Sequence, residues 1–337
     1  MVKFLVIRFS AIGDIVLTTP VIRCLKQQVD DAEVHFLVKK QYMSVVENNP
    51  YIDKIHVFDY NFKELMPQLR DEFFDYIIDL QHNLRSSRIK NKLKVIDFSF
   101  NKLNVEKWLL VNFNWNRLPD IHIVDRYLAT TKVFDVENDN KGLDYFIPAK
   151  DEVDFKDKSL KVDLSSVEPN KYLALVIGAK HNTKKMPVEK IISICKKINA
   201  PVFLLGGPED ADAGEQITKA VVGDNKIIIN TCGKFNLNQS ASLVKQAGCI
   251  LTHDTGLMHI AAAFHKTIIS VWGNTIPQFG MTPYLPNPDS EIMEVNGLKC
   301  RPCTKIGFRI CPKKHFNCMN QIDEQKIVNK INSIFFK

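Results

Sequence analysis

The sequence predicts an α/β protein with two Rossmann-like domains, because two series of strand-like and helix-like segments follow one another along the chain. The 337 residues are enough for two ordinary cores, and 45% hydrophobic with 25% charged residues is typical of globular proteins. Between the two series, the charged stretch 151–170 breaks the alternation and predicts a linker. We therefore expect doubly wound domains over 1–150 and 171–320, followed by a terminal helix over 321–337.

In the first half, compact apolar runs separated by polar pieces of helix length predict the strands of a parallel sheet. The predicted strands are Lys3–Phe9, Glu33–Val38, Lys54–Phe58 and Tyr76–Leu80. Apolar residues at helical spacing in Asp14–Gln28 predict the first helix. The apolar start, Met1–Gly13, lacks a small-residue cleavage site, which favours a first strand over a signal peptide. Because no apolar run reaches the ~18–20 residues that span a bilayer, we expect a cytoplasmic protein.

The second half repeats this alternation. Its predicted strands are Tyr172–Ile177, Val202–Leu205, Lys226–Ile229, Cys249–Thr252 and Thr267–Val271. Gln321–Phe336 has apolar residues at the spacing of an amphipathic helix. We expect the two domains to face each other across a cleft, and in doubly wound sheets ligands bind beyond the carboxyl ends of the strands. The loops that follow the strands are therefore where functional residues are expected.

The net charge of +7 is concentrated between residues 85 and 117. Eight bases stand there against the acids Asp97 and Glu106: Arg85, Arg88, Lys90, Lys92, Lys94, Lys102, Lys107 and Arg117. This excess predicts either an ordinary solvated face or a surface for an anionic partner. A phosphorylated glycolipid or the inner face of the cytoplasmic membrane fits that charge. We expect no nucleic-acid partner, because no recognised binding motif accompanies the bases.

The loop after the first strand, Arg8–Asp14, contains a single glycine and not a G-x-G-x-x-G pattern, which argues against a dinucleotide oxidoreductase. Gly13 allows a ligand to approach the backbone closely. Asp14 is a candidate for accepting a proton from an attacking hydroxyl group. The alternative is that Asp14 only interacts with the amides of the first helical turn.

A second loop, Gly178–Pro187, joins a predicted strand to a helix that Pro187 can start. Lys184 and Lys185 stand there among small and hydroxyl residues, which is a plausible setting for a diphosphate. Two exposed lysines in a loop are equally commonplace on protein surfaces, so both interpretations stay open.

The most informative string is His253–Ala263, where a buried strand ends and a helix begins near Thr255 or Gly256. Free backbone N–H groups at a helix start, with a hydroxyl and no bulky side chain beside them, form an anion site. His259 is expected near the first turn of that helix, either as a ligand-binding or as a structural histidine.

Several of these strings resemble the signatures of glycosyltransferase family 9, the lipopolysaccharide heptosyltransferases. R-F-S-A-I-G-D-I-V-L-T-T-P (Arg8–Pro20) is similar to the N-terminal signature, and D-T-G-L-M-H-I-A-A-A (Asp254–Ala263) is similar to the C-terminal one. Shorter matches follow the family's order, namely Q-H-N-L-R-S-S-R (Gln81–Arg88), K-K-M-P (Lys184–Pro187), G-G-P-E-D (Gly206–Asp210) and W-G-N-T (Trp272–Thr275).

The resemblance implies a GT-B fold, with the acceptor bound by the N-terminal half and a nucleotide-sugar donor by the C-terminal half. It implies an inverting, single-displacement transfer, with heptose from ADP-heptose and a lipopolysaccharide core acceptor as the expected substrates. By motif position, Asp14 resembles the general base, and Lys184 resembles the lysine that contacts the donor diphosphate. Asp254, Thr255 and Gly256 resemble the family's phosphate-binding turn. His259 belongs to the same signature.

The chemistry agrees with these roles, because sugar transfer needs a deprotonated acceptor oxygen and a stabilised diphosphate leaving group. Gly13, Arg85 and Arg88 are the candidates for binding the acceptor. We expect no cofactor and no catalytic metal beside the nucleotide-sugar donor, although Asp210-Ala211-Asp212 has the form of a metal motif. Two alternatives remain: a nucleotide-sugar epimerase, which needs no acceptor, and a non-catalytic sugar-nucleotide-binding protein, which does not need Asp14.

Of the eight cysteines, four lie in apolar segments and predict inert core residues: Cys24, Cys195, Cys232 and Cys249. The other four, Cys300, Cys303, Cys311 and Cys318, form a C-x₂-C-x₇-C-x₆-C cluster. Three interpretations of the cluster stay open. It is a structural metal site, a set of disulfides, which a cytosolic protein disfavours, or a group of reduced buried thiols. In none of them is it catalytic.

Overall fold

The computed structural model describes residues 1–221, 223 and 226–336. The chain divides into two compact units, one comprising Met1–Asn104 and Pro119–Phe146, the other Val105–Leu118 and Ile147–Lys337. Nothing in the sequence predicted that Val105–Leu118 belongs with the C-terminal half. Among the described residues, no helix is long and apolar enough to cross a membrane.

The first unit is built on a five-stranded parallel sheet with the order β3-β2-β1-β4-β5. Its strands are β1 (Val2–Ile7), β2 (Ala32–Lys39), β3 (Lys54–Phe58), β4 (Tyr76–Asp79) and β5 (Ile96–Ser99). Its helices are α1 (Ile12–Val16), α2 (Thr19–Gln28), α3 (Phe62–Arg70), α4 (Leu84–Leu93) and α6 (Ile123–Leu128), with 3₁₀ helices at Lys40–Val45 and Ala129–Phe134. The four predicted strands are present. The fifth, β5, was missed because this edge strand is short and its residues stay partly exposed.

The predicted helix Asp14–Gln28 is two helices, α1 and α2, and Pro20 explains the break. Proline has no backbone N–H, so it cannot bond the carbonyl four residues earlier, but it is tolerated in a first helical turn. Pro20 occupies the first turn of α2. The hydroxyl of Thr19 donates to the Val16 carbonyl instead, at 2.8 Å. The chain can therefore turn between the two helices without losing this hydrogen bond.

The second unit contains a six-stranded parallel sheet with the order β11-β10-β9-β6-β7-β8. Its strands are β6 (Leu173–Val176), β7 (Val202–Leu205), β8 (Ile228–Asn230), β9 (Cys249–His253), β10 (Ile268–Trp272) and β11 (Glu291–Glu294). Counted from its own first strand, this is the Rossmann order 3-2-1-4-5-6. The predicted fold class, two doubly wound α/β domains, is confirmed. The polar edge strand β11 was not predicted.

The helices of the second unit come before, between and after its strands along the chain. They are α5 (Asn104–Phe113), α7 (Val188–Lys197), α8 (Ala211–Ala220), α9 (Leu237–Gln246), α10 (Gly256–Ala263), α11 (Asn317–Asn320) and α12 (Glu324–Phe335). Along α12, Ile327, Val328 and Ile331 are buried in the core of this unit. This burial is what an amphipathic helix needs to be stable.

The stretch predicted to be a linker is packed rather than solvated. Val153, Phe155 and Leu164 are buried. The Asp151 carboxylate accepts hydrogen bonds from Asn236, at 2.9 Å, and Asn238, at 3.2 Å, in the same unit. These contacts give the irregular segment a fixed path along the second unit.

Candidate active site

In the first unit, the predicted base Asp14 lies in α1, directly beyond the carboxyl end of β1. One of its carboxylate oxygens is 2.6 Å from a guanidinium nitrogen of Arg8, and the other accepts from the Ala11 backbone N–H at 3.2 Å. Asp14 therefore bonds the N-cap amide of α1, a contact related to the first-turn interaction considered as its alternative role. The Asp14 side chain remains 26% exposed, so an acceptor hydroxyl can reach it. Gly13, one residue earlier, is buried.

Arg8 is the residue that holds Asp14, and its own position is fixed on several sides. Its guanidinium donates to the carbonyl oxygens of Ser10 and Leu80 and to the Tyr127 hydroxyl, the last at 3.0 Å. Burial lowers the pKa of Arg8, but Asp14, Tyr127 and Asp79 together more than offset this, so the pKa is raised. Arg8 therefore stays charged and orients the carboxylate.

The acceptor candidates Arg85 and Arg88 lie in the N-terminal half of α4, the helix that follows β4, and both side chains are exposed. The guanidinium of Arg85 stands 5.7 Å from the ring centre of Tyr60, and that of Arg88 stands 4.5 Å from the ring centre of Phe62. Lys39, at the end of β2, also faces Tyr60 and lowers the pKa of its hydroxyl. Since carboxyl ends of parallel strands share one edge of a sheet, these cations lie at the same edge as Asp14.

The remaining bases of the segment 85–117 are divided between the two units, and some of them are paired. Lys90 is paired with Asp97 at 2.6 Å and with buried Asp79 at 3.2 Å. Lys107 and Arg117 belong to the second unit, where the guanidinium of Arg117 lies 4.2 Å from the ring centre of Trp115. The sequence count of charge therefore overstates how many of these cations are free to meet a ligand.

In the second unit, the donor candidates Lys184 and Asp254 meet. Lys184 Nζ lies 2.5 Å from a carboxylate oxygen of Asp254, and the Thr275 hydroxyl donates to the same oxygen at 3.0 Å. The loops carrying the pair follow β6 and β9, which are neighbours in the sheet. Because a carboxylate repels phosphate, we infer that Asp254 orients Lys184 rather than binding the phosphate itself.

The helix α10 begins directly after this pair, with Thr255 as its N-cap and Gly256 as its first residue. The first N–H groups of a helix have no partners within the helix and carry partial positive charge. His259 is 2% exposed and lies inside the helix, so the structure places it in the core and not on the open surface. The helix start and the Lys184 ammonium together are suited to binding an anion.

His253, which the sequence did not single out, joins the two donor loops. Its Nε2 accepts from the Met186 backbone N–H at 2.9 Å. Burial, together with the nearby Lys185 ammonium, lowers the pKa of His253 to about 4. The ring is therefore neutral near pH 7 and can serve as the acceptor that holds the Lys184 loop beside β9.

Two other groups have the composition of a metal site. In the D-x-D string, buried Asp210 is paired with Lys185 at 2.5 Å, whereas Asp212 is exposed. In the first unit, His35 Nδ1 lies 3.0 Å from His56 Nε2, and Glu72 lies close to both rings. His35 also bonds Glu33 at 2.6 Å, and Lys54 bonds Glu72. Asp210, His35, His56 and Glu72 therefore already have ion-pair or hydrogen-bond partners within the protein.

Comparison with known proteins decides the family. The model of glycosyltransferase family 9 (heptosyltransferase) matches residues 62–313. The chain belongs to this family. Its membership identifies the protein as a glycosyltransferase, and the matched residues include the string Asp254–Ala263 that carries the resemblance.

Individual relatives cover almost the whole of this family 9 glycosyltransferase. A lipopolysaccharide heptosyltransferase 1 of Campylobacter coli is 25% identical over 99% of both chains. A family 9 glycosyltransferase of Veillonella parvula superposes with a TM-score of 0.77 at 20% identity, over 99% of this chain and 97% of that one. An E. coli ADP-heptose lps heptosyltransferase II superposes with a TM-score of 0.74 at 19% identity, over 99% of this chain and 98% of that one. The GT-B type of the fold is thereby confirmed.

All eight cysteines of this glycosyltransferase are free thiols. The four predicted core cysteines are buried, and burial raises the pKa of Cys195, Cys232 and Cys249 to about 12. In the C-terminal cluster, Cys303 Sγ donates to the Cys300 carbonyl at 2.8 Å, and Cys300 Sγ lies 3.7 Å from His315 Nε2. Burial and the proximity of the other three thiols raise the pKa of Cys303 to about 12. The thiols of the cluster are therefore near enough to affect the pKa of Cys303, but among the described residues only His35, His56 and Glu72 have the spacing of a metal site.

Proposed function

We propose that this protein is an inverting heptosyltransferase, which transfers heptose from ADP-heptose to a lipopolysaccharide core acceptor. The observation that carries the proposal is the paired Lys184 ammonium beside the N-terminus of α10. That arrangement suits a nucleoside diphosphate leaving group. Lipopolysaccharide heptosyltransferases named among the relatives in Campylobacter coli and E. coli support the choice of sugar and acceptor.

On the donor side, breaking the bond between the anomeric carbon and the diphosphate leaves negative charge on a phosphate oxygen. The Lys184 ammonium and the N–H groups of Gly256 and its neighbours stabilise that charge from fixed positions. Asp254 and Thr275 keep Lys184 aimed at the phosphate. This chemistry needs no cofactor beside the nucleotide sugar.

On the acceptor side, the attacking hydroxyl oxygen forms a bond to the anomeric carbon as the diphosphate leaves from the opposite face. Asp14 accepts the hydroxyl proton. The ion pair with Arg8 fixes the orientation of the carboxylate oxygens. One displacement at one carbon inverts its configuration.

Arg85 and Arg88 are proposed to bind phosphate on the acceptor, because a guanidinium group can bind phosphate bidentately. Gly13 is buried in α1, so its proposed part in acceptor binding is to let the backbone beside Asp14 pack closely. An acceptor anchored in lipid also implies contact with the inner face of the cytoplasmic membrane. A nucleotide-sugar epimerase or a non-catalytic binding protein would make no use of these acceptor contacts.

The test is to incubate the purified protein with ADP-heptose, with and without a phosphorylated lipopolysaccharide core acceptor, and to measure ADP release and the product. We expect ADP release that depends on the acceptor, and a product with inverted anomeric configuration. Conversion of the donor without an acceptor would indicate the epimerase. Tight donor binding without any conversion would indicate the binding protein.

A further inference from the structure

The segment Val105–Leu118, which contains most of α5, has one face buried in the second unit. Leu110 is 5% exposed and packs in a cluster with Ile276 and Phe279. Val111 and Leu118 pack against the same cluster. The segment is therefore attached firmly to the second unit by this face.

The rest of the segment exposes large apolar side chains to solvent. Val105 is 67% exposed, Trp108 56%, Phe113 64% and Trp115 51%. The rings of Trp108 and Phe113 pack edge to face with their centres 5.2 Å apart. Single exposed apolar residues are ordinary, but several on one short segment indicate an interaction surface.

We propose that Val105, Trp108, Phe113 and Trp115 dock this protein on an anionic lipid bilayer by inserting into its interfacial layer. Tryptophan is enriched at membrane interfaces, because its ring is apolar and its N–H needs a polar partner. A short helix with exposed aromatic residues lies in the interface and does not span the bilayer.

Charge favours a bilayer over a second copy of this chain. Within the segment itself, Lys107 and Arg117 stand against the single acid Glu106. Docking this segment on itself would bring like charges together, whereas anionic headgroups attract them. Arg117, stacked on Trp115, can keep its guanidinium at the level of the lipid phosphates while the ring enters the apolar layer.

The test uses the full chain and sedimentation with vesicles of phosphatidylcholine, with and without phosphatidylglycerol. We expect binding to the anionic vesicles, a blue shift of tryptophan fluorescence, and weaker binding in high salt. The double substitution Trp108→Ala/Phe113→Ala should weaken partitioning by at least about tenfold. Neither donor nor acceptor is needed, so the result does not depend on the proposed enzymatic reaction.

Phe73→Ala is the matched control, since Phe73 is an exposed aromatic residue of the first unit, 83% exposed and outside the segment. It should bind vesicles like the wild type. Thermal unfolding of the double variant should match the wild type and so exclude misfolding as the cause of lost binding. Equal partitioning of wild type and double variant would overturn the proposal. So would a wild-type dimer in sedimentation velocity that the double substitution abolishes, because the segment would then be covered by a second copy.

Discussion

Lys184 Nζ and a carboxylate oxygen of Asp254 lie 2.5 Å apart, although 70 residues separate them in the sequence. This ion pair holds a cation at the edge of the sheet before any phosphate is bound. A diphosphate must then compete with Asp254 for the ammonium group. The preorganised pair can favour the charge that develops on the leaving group more than the charge of the bound donor.

Lys184→Ala should weaken ADP binding by roughly tenfold or more, because a charge-assisted contact to phosphate is lost. The difference from the wild type should shrink in high salt, since screening weakens charge attraction. Titration calorimetry at low and high salt measures both effects. Equal affinities would assign the phosphate contact to Lys185 or to the helix start.

Lys185→Ala is the informative comparison. The Lys185 ammonium pairs with Asp210, which is buried, so its removal leaves a buried carboxylate without its cation. We expect this variant to lose thermal stability while its ADP affinity changes little. The two neighbouring lysines would then be separated into one that binds the donor and one that stabilises the fold.

Asp14→Asn should lower turnover by ~10²–10⁴-fold, the usual contribution of a general base, and leave ADP affinity nearly unchanged. The amide oxygen can still accept from the Ala11 N–H, so the helix start should survive. Steady-state rates and calorimetry on the same preparation separate the two effects. Turnover above about a third of the wild type would exclude Asp14 from this role, because a general base contributes far more than that.

Substituting both arginines, Arg85→Gln/Arg88→Gln, should raise the apparent KM for a phosphorylated acceptor while leaving ADP affinity unchanged. The reason is that glutamine cannot replace a bidentate guanidinium–phosphate contact. A dephosphorylated acceptor is the control and should show no further loss. If it suffers the same rise in KM, the arginines act through their stacking on Tyr60 and Phe62 instead.

How far the sequence predicted this molecule depended on the range of the interactions. Buried strands such as β2 and β9 are rich in apolar and β-branched residues, so their positions could be predicted from the local sequence. The partners of Arg8 did not, because Tyr127 lies 119 residues away and no local pattern connects them. The attachment of Val105–Leu118 to the second unit likewise depends on Leu110 meeting Ile276, far along the chain. Motifs predicted candidate loops for the site, and only tertiary contacts revealed which side chains contact each other.

Stability should fall as the pH drops from about 6.5 towards 4, in part because of His253. Burial lowers its pKa from 6.5 to about 4 in the folded protein. In this pH window His253 binds a proton in the unfolded chain but not in the folded one, so protonation favours unfolding. Above pH 6.5 the His253 ring is neutral in both states. Denaturant unfolding from pH 7.5 to 4.5 measures the loss. His253→Gln should flatten the dependence, and an unchanged pH profile in that variant would contradict the assignment.

The interpretation of Cys300, Cys303, Cys311 and Cys318 as a structural metal site predicts that the cluster binds one transition-metal ion, which would have to draw the sulfur atoms closer together. Burial, with neighbouring thiols, raises the pKa of Cys303 and Cys318, and a bound metal cation would oppose this by favouring the thiolates. Protein purified without a metal-affinity step should contain about one equivalent of metal, or take up Co²⁺ with intense thiolate absorption. The double substitution Cys300→Ser/Cys303→Ser should abolish metal binding. Cys195→Ala, at a buried cysteine elsewhere in the same unit, should leave metal binding unchanged. A metal-free protein with eight titratable thiols that ignores Co²⁺ would leave packing as the role of the cluster. Fewer than eight thiols in a metal-free protein would indicate disulfides.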